Sequence, residues 1–169
     1  MAWYALRVKP RFEKMVSCGL RGKGYDEFLP LSHSQRKHNG RTRTVDLPLF
    51  PGYLFCRFDA KKRLPIMTSP GVLYVVTQGD KLAPVRDEDI ASVRIALESG
   101  LPVASHQYLP GNRVRVLAGP LTGVEGVVTR VTGKCRVVIS VEMLMQSVSV
   151  DIAADWLTAD QRTKEKLQG

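Results

Sequence analysis

The 169-residue sequence predicts an α+β protein in which an N-terminal antiparallel sheet with flanking helices is followed by a small all-β barrel. One observation is that period-2 and helical hydrophobic patterns alternate along the first hundred residues, whereas the last third holds only short Val-rich strands. A second is the charge. Residues 1 to 63 hold 14 Lys and Arg against 5 Asp and Glu, and residues 64 to 169 hold 11 of each, so the whole formal excess of +9 lies in the first part. The third is that ten of the twelve aromatic residues lie at or before Tyr74. Together these imply two domains with different surfaces. The expected division is a first domain over residues 1–100, a linker over 101–111, a barrel over 112–157 and a tail over 158–169. The linker is read from an uncharged stretch punctuated by Gly100, Pro102, Pro110 and Gly111.

Trp3 to Lys9 alternates, with Tyr4, Leu6 and Val8 on one face and Ala5, Arg7 and Lys9 on the other, the pattern of a strand, and Pro10 ends it. From Arg11 the spacing turns helical. Phe12, Met15, Val16 and Leu20 form an apolar stripe, while Arg11, Lys14 and Arg21 share a basic sector, before Gly22 and Gly24 stop the helix. Tyr25 to Leu31 reads as a short strand. The segment Ser32 to Val45 then carries Asn39-Gly40, a type I′ hairpin signal, flanked by Arg36, Lys37, Arg41 and Arg43 with no acid until Asp46. A protruding tip with four cations suits a polyanion. If three of them each neutralise a phosphate, binding varies with salt at a log-log slope near ~2.7 on duplex DNA or about 2 on single strands.

Leu47 to Phe58 has a Pro/Gly-kinked entry into a strand that is apolar on both sides and therefore needs cover on both. Phe50 and Tyr53, beside Pro51 and Gly52, are the residues expected on a patch left for a partner. Ile66 to Val76 reads as a turn at Pro70-Gly71 and a strand, and Asp87 to Gly100 as a helix whose Asp87, Glu88 and Asp89 serve as first-turn capping charges. In the last third, Arg113 to Val131, Cys135 to Val141 and Ser147 to Ile152 read as four or five short strands, which favours a barrel. The turn holding Met143, Leu144 and Met145 reads either as an adaptable docking loop or as a plug for a barrel end.

Several function classes are disfavoured. No apolar run approaches the ~20 residues that span a bilayer, and the start lacks the features of a secretory signal, so a cytoplasmic address is expected. Cys18, Cys56 and Cys135 are odd in number and far apart, and are expected as small buried thiols. His33 and His38 lack further ligands nearby for a metal. There is no Gly-x-x-x-x-Gly-Lys loop, no His-x-x-x-His pair and no carboxylate cluster outside the helix cap, so neither an enzyme nor a cofactor is expected.

Trp3-Tyr4, Leu49-Phe50-Pro51-Gly52-Tyr53 and Pro110-Gly111-x-x-Val-x-Val-x-x-Gly-Pro-Leu-x-Gly-x-Glu-Gly126, in this order and spacing, resemble the NusG family of transcription elongation factors across residues 2 to about 157. Lys9-Pro-Arg-Phe-Glu13 and the long cationic hairpin look more like the specialised UpxY and RfaH type antiterminators of long operons, although Lys62-Arg63-Leu64 stands where the RfaH type carries His-Thr-Thr.

The resemblance implies an N-terminal NGN domain that docks on the clamp helices of the RNA polymerase largest subunit and suppresses pausing, followed by a KOW (SH3-like) barrel. Carried over by position, the docking surface comprises Tyr4, Leu6, Phe50, Pro51 and Tyr53, with Val72 and Tyr74 at its edge. Arg36, Lys37, Arg41 and Arg43, joined by Arg11 and Lys14, would meet DNA near the upstream fork. Leu121, Val124, Met143, Leu144 and Met145 would hold Rho or a small-subunit ribosomal protein. The expected protein is a monomer that engages no membrane. The alternatives are a housekeeping factor in Rho-dependent termination and transcription-translation coupling, and a ribosome-associated KOW RNA binder. The latter would need cations on the barrel, whereas residues 101 to 169 carry only +2.

Overall fold

In the computed structural model, Ala2–Val8 (β1) is the central strand of an antiparallel sheet. The structure describes residues 1–109, 111–131, 134–153 and 156, with their side chains except those of residues 130, 131, 134 and 143. The expected tail over 158–169, and Pro110 of the barrel motif, lie outside the described residues. The chain forms two compact units, Met1–Val85 and Arg86–Gly169.

In the first unit, β1 is followed by Glu13–Gly22 (α1), Asp26–Phe28 (β2), Leu31–His38 (β3), Arg41–Pro48 (β4) and Tyr53–Phe58 (β5). Leu64–Met67 (α2), Val72–Val75 (β6), Thr77–Gln78 (β7), Lys81–Leu82 (β8) and Pro84–Val85 (β9) complete it. The sheet order is β2-β5-β1-β6, with β9 also pairing β1, and every pairing is antiparallel. The alternation of β1 sends Tyr4, Leu6 and Val8 to one face. There they join Val16 and Leu20 of α1, Ile66 of α2, and Leu54, Cys56, Phe58 and Val75 in a sealed core. The Tyr4 and Phe58 rings sit 4.7 Å apart in that core.

The opposite face is closed by aromatics of the chain itself, Phe28 at the end of β2 and Phe50 in the turn before β5. Phe55 lies within 5.9 Å of Phe50, edge-on at 88°, and within 6.2 Å of Phe28. This supplies the second cover that a two-sided apolar strand requires. The strand expected after the Pro70-Gly71 turn forms as β6, and the short helix α2 precedes that turn, Pro65 being tolerated in a first helical turn. The brief pairs formed by β7, β8 and β9 were too short to show any periodicity.

The second unit holds Asp87–Glu98 (α3), Val103–Gln107 (β10), Val114–Arg115 (β11), Glu125–Val131 (β12), Lys134–Val141 (β13) and Gln146–Ile152 (β14), in the sheet order β10-β14-β13-β12-β11. Its interior is aliphatic, with Val116, Val137, Val138, Ile139, Val148 and Val150 buried. Two features differ from the sequence expectation. Residues within the anticipated linker form β10, pairing Val103 with Val150 through Gln107 with Gln146. The helix α3 also belongs to this second unit. Asp89, read as a capping charge, is instead buried and pairs with Arg113, whose guanidinium also reaches the Ser140 carbonyl at 3.2 Å and Glu142 at 3.3 Å. Glu125 donates its N–H to Ser92 Oγ at 2.9 Å and accepts from Arg86 at 3.0 Å and from Arg115.

The hydrogen bond from Arg115, together with that from Arg86, outweighs the opposing effect of burial and holds Glu125 below the usual carboxylate range. At Asp89, burial is the largest effect and raises the carboxyl despite Arg113 and Arg86. The signs therefore oppose. A depressed carboxyl stabilises the fold above its unfolded pKa, and that contribution is lost as pH falls through the folded value; a raised one relieves a penalty over the same fall. Glu125→Gln is expected to lower the protection of β12 amides by about 1 kcal/mol at pH 7. Amide exchange should show the difference shrinking towards pH 3.

Candidate protein and nucleic-acid interface

The register of the first sheet places Arg7 of β1 between Tyr53 of β5 and Tyr74 of β6. Side chains directly opposite on neighbouring strands share a face, so the three form one row across three strands. The Arg7 guanidinium lies 4.7 Å from the Tyr53 ring centroid and donates to the Pro51 carbonyl at 3.3 Å. Tyr74 is 50% exposed, Tyr53 is half-buried and Pro51 is exposed. Where β6 runs beside β1 the register slips between Arg7 and Val8, leaving Leu73 as the extra residue of a bulge, 48% exposed, next to half-buried Val72. Bulges of this kind re-aim side chains at sheet edges. The result is an amphipathic strip of two aromatics and a cation with Leu73 at its edge, whereas Val72, opposite Val8, packs against the core on the other face.

Four expected members of this surface are absent from it, Val72 among them. Phe50 is 1% exposed, wedged against Phe55, and so belongs to the core and not to a docking patch. Leu6 and Tyr4 face α1 across the sheet, sealed with Val16, Leu20 and Ile66. Strand parity decides this: residues 4 and 6 cannot share a face with residue 7. Arg7 and Leu73 were missed. The signals available were a lone arginine in an apolar strand and the unbroken apolar run Val72 to Val76, which no single-faced edge strand can bury.

The hairpin β3–β4 pairs only with itself, and its turn residues Asn39 and Gly40 take φ 48° and 73°, as a type I′ turn requires. The register pairs Arg36 with Arg43 and His38 with Arg41, and these four side chains share a face with Ser32, Ser34, Val45 and Leu47. Lys37 lies on the other face, with the hydrogen bond between His33 Nδ1 and Asp46 Oδ1 at 2.5 Å. The expected four-cation tip is therefore three arginines on one side and one lysine on the other. Like charges directly opposite destabilise a ribbon, so this face carries positive charge that its own register does not balance.

The basic sector of α1 is reduced. Arg21 is paired with Glu27, which also accepts from Ser17 Oγ at 2.7 Å, leaving Arg11 and Lys14 exposed. Lys14 lines a cavity with Glu27 and with Leu31 at the root of the hairpin, whereas no contact brings Arg11 to it. The thiols divide, Cys56 and Cys135 being buried as expected and Cys18 exposed. Burial pushes the Cys56 thiol up to about 12, so it stays protonated and inert.

The family model described as transcription termination factor nusG matches residues 1–94, which span this sheet, the hairpin and most of α3. The chain belongs to the NusG family. The NusG transcription termination/antitermination protein of Thermus thermophilus is 28% identical over 166 residues, covering 82% of this chain and 89% of that protein. The namesake from Pseudomonas aeruginosa is 24% identical, covering 89% and 93%. A solved structure titled for domain interaction in Thermotoga maritima NusG superposes with a TM-score of 0.50 at 19% identity over 89% of this chain and 92% of that one, a likeness of fold. Proteins of the NusG family are transcription factors, and this chain is accordingly a NusG-type termination/antitermination factor. Among the described residues, no helix is long and apolar enough to cross a membrane.

In NusG terms, the barrel residues expected to hold a second protein fare unevenly. Leu121 and Val124 are fully buried and Leu144 is 8% exposed, so they offer no surface. Met145 is 64% exposed on a left-handed backbone at φ 49°, and the Met143 side chain lies outside the described residues. Leu117, 55% exposed, was missed, although two adjacent apolar residues at 116 and 117 oblige one of them to face outward.

Proposed function

We propose that this protein binds RNA polymerase at the clamp helices of its largest subunit, suppresses pausing and promotes processive elongation, as a specialised NusG paralogue serving long operons. The observation that carries the reading is the Arg7, Tyr53 and Tyr74 row, flanked by Pro51 and Leu73. Rigid aromatics around an arginine are the composition of protein-protein hot spots, and this strip lies on the sheet whose sequence matches the family. The arginine face of the hairpin supports contact with DNA at the upstream fork, and the length of that hairpin favours the specialised type.

A second reading is a general factor that works with Rho or couples transcription to the ribosome through the barrel. Exposed Leu117 and Met145 favour it, as do the termination/antitermination names of the relatives. The test uses the full chain with purified core polymerase. Co-elution and shortened pauses on a linear template are expected, and a chain that neither co-elutes nor alters pausing refutes the proposal. Added Rho or small ribosomal subunits, captured in a manner that depends on Met145 and Leu117, decide for the second reading.

A further inference from the structure

Phe50 to Tyr53 form a tight turn closed by the Tyr53 N–H on the Phe50 carbonyl at 3.0 Å, with Pro51 and Gly52 at its centre and Gly52 at φ 81°. That is the geometry of a type II turn, in which the central peptide is flipped and the N–H of the second central residue points away from the turn. Gly52 is buried, so this N–H has no water to meet. It donates to Glu13 Oε1 at 2.9 Å, while the Gly52 carbonyl accepts from the Val8 N–H at 2.9 Å. Glu13 is the first residue of α1 and only 7% exposed, unusually buried for a carboxylate. Nothing in the docking strip explains why a carboxylate occupies this place.

We infer that Glu13 is a positioning residue for the polymerase-binding strip. Its carboxylate fixes the Pro51-Gly52 turn against the ends of α1 and β1, and so sets Tyr53 under the Arg7 guanidinium. The turn and that guanidinium are in direct contact, since a Cβ at position 52 would overlap the Arg7 head group, and Gly52 at φ 81° holds a backbone conformation that other residues rarely adopt. Loss of the acceptor strands a buried N–H, which costs about 1–3 kcal/mol unless the turn rotates to find water. Rotation carries Pro51 and Tyr53 with it and breaks the row with Arg7 and Tyr74. The inference rests on the strip being the polymerase-binding face, although the geometry of the turn can be read without polymerase.

The test compares Glu13→Ala, Glu13→Gln, Ile66→Val and Tyr53→Ala in the full chain. The upfield ring-current shift of the Arg7 side-chain protons reports the Arg7–Tyr53 stack, and titration with core polymerase reports affinity. Glu13→Gln keeps an oxygen acceptor, so both readouts should stay near wild type, whereas Glu13→Ala should lose the shift and about tenfold in affinity. Ile66→Val, a core change of about 1 kcal/mol far from the turn, should keep both. Retention of the Arg7 shift in Glu13→Ala, an equal loss in Glu13→Gln, or an equal loss of affinity in Ile66→Val overturns the role. Unchanged affinity in Tyr53→Ala would refute the strip as the polymerase face, and the Arg7 shift then decides by itself whether Glu13 positions the turn.

Discussion

Polymerase binding by a Tyr53→Ala, Tyr74→Ala double variant is expected to fall by about 2 kcal/mol or more, roughly thirtyfold, with folding stability within about 1 kcal/mol of wild type. The two rings flank Arg7, Tyr74 being half exposed and Tyr53 half-buried, and neither belongs to the buried core, so their truncation costs little packing. The arginine also loses an aromatic face over which its charge is held in place. Phe50→Ala should behave in the opposite way. Its ring is fully packed against Phe55, and removing it should cost about 3–5 kcal/mol of stability, with any change in binding following from partial unfolding. Chemical denaturation beside titration with core polymerase separates the two. If Phe50→Ala proves stable yet binding-defective, while the tyrosine pair proves dispensable, the assignment of the face must be reversed.

Neutralising Arg36, Arg41 and Arg43 together, as glutamines, is expected to reduce the salt dependence of binding to forked DNA by a log-log slope of about 2.7, whereas Lys37→Gln alone should leave it nearly unchanged, well short of the ~0.9 expected for each arginine. The difference in kind comes from the register. Three guanidiniums and His38 lie on one side of the ribbon, and Lys37 lies on the other beside the His33–Asp46 pair. Affinity for polymerase in the absence of DNA should be unchanged, because the hairpin forms its own two-stranded sheet and contributes no residue to the aromatic row. Fluorescence anisotropy across a salt series provides the measurement. A slope that falls equally for Lys37 and for each arginine would show that the ribbon is engaged as a diffuse charge and not through one face.

Much of the fold is local and was therefore legible. The alternation of residues 3 to 8, the stripe Val16 and Leu20, the Asn39-Gly40 turn and the acids opening α3 each depend on neighbours a few residues away, and each element forms where they place it. The errors share a physical origin. Which of two apolar faces becomes core depends on distant segments. Phe50 was read as uncovered because nothing within its strand predicts that Phe28 and Phe50 together close over Phe55. Asp89 looked like a capping charge because its partner, Arg113, lies 24 residues away. The strand β10 was hidden for a similar reason, since Val103 to Gln107 is weakly patterned and takes its conformation from the β14 edge.

The amino-acid sequence by itself determined the element types, the family, the concentration of cations in the first part and the hairpin that carries them, because propensity, composition and motif are properties of short stretches. Only the tertiary structure decided that Arg7 stands between Tyr53 and Tyr74, that Leu73 is turned out by a bulge, that the arginines of the hairpin share a face without Lys37, and that Glu13 holds the Gly52 N–H. Those outcomes depend on strand register and on hydrogen bonds between segments some forty residues apart, and a one-residue slip in pairing would move every side chain involved to the opposite face.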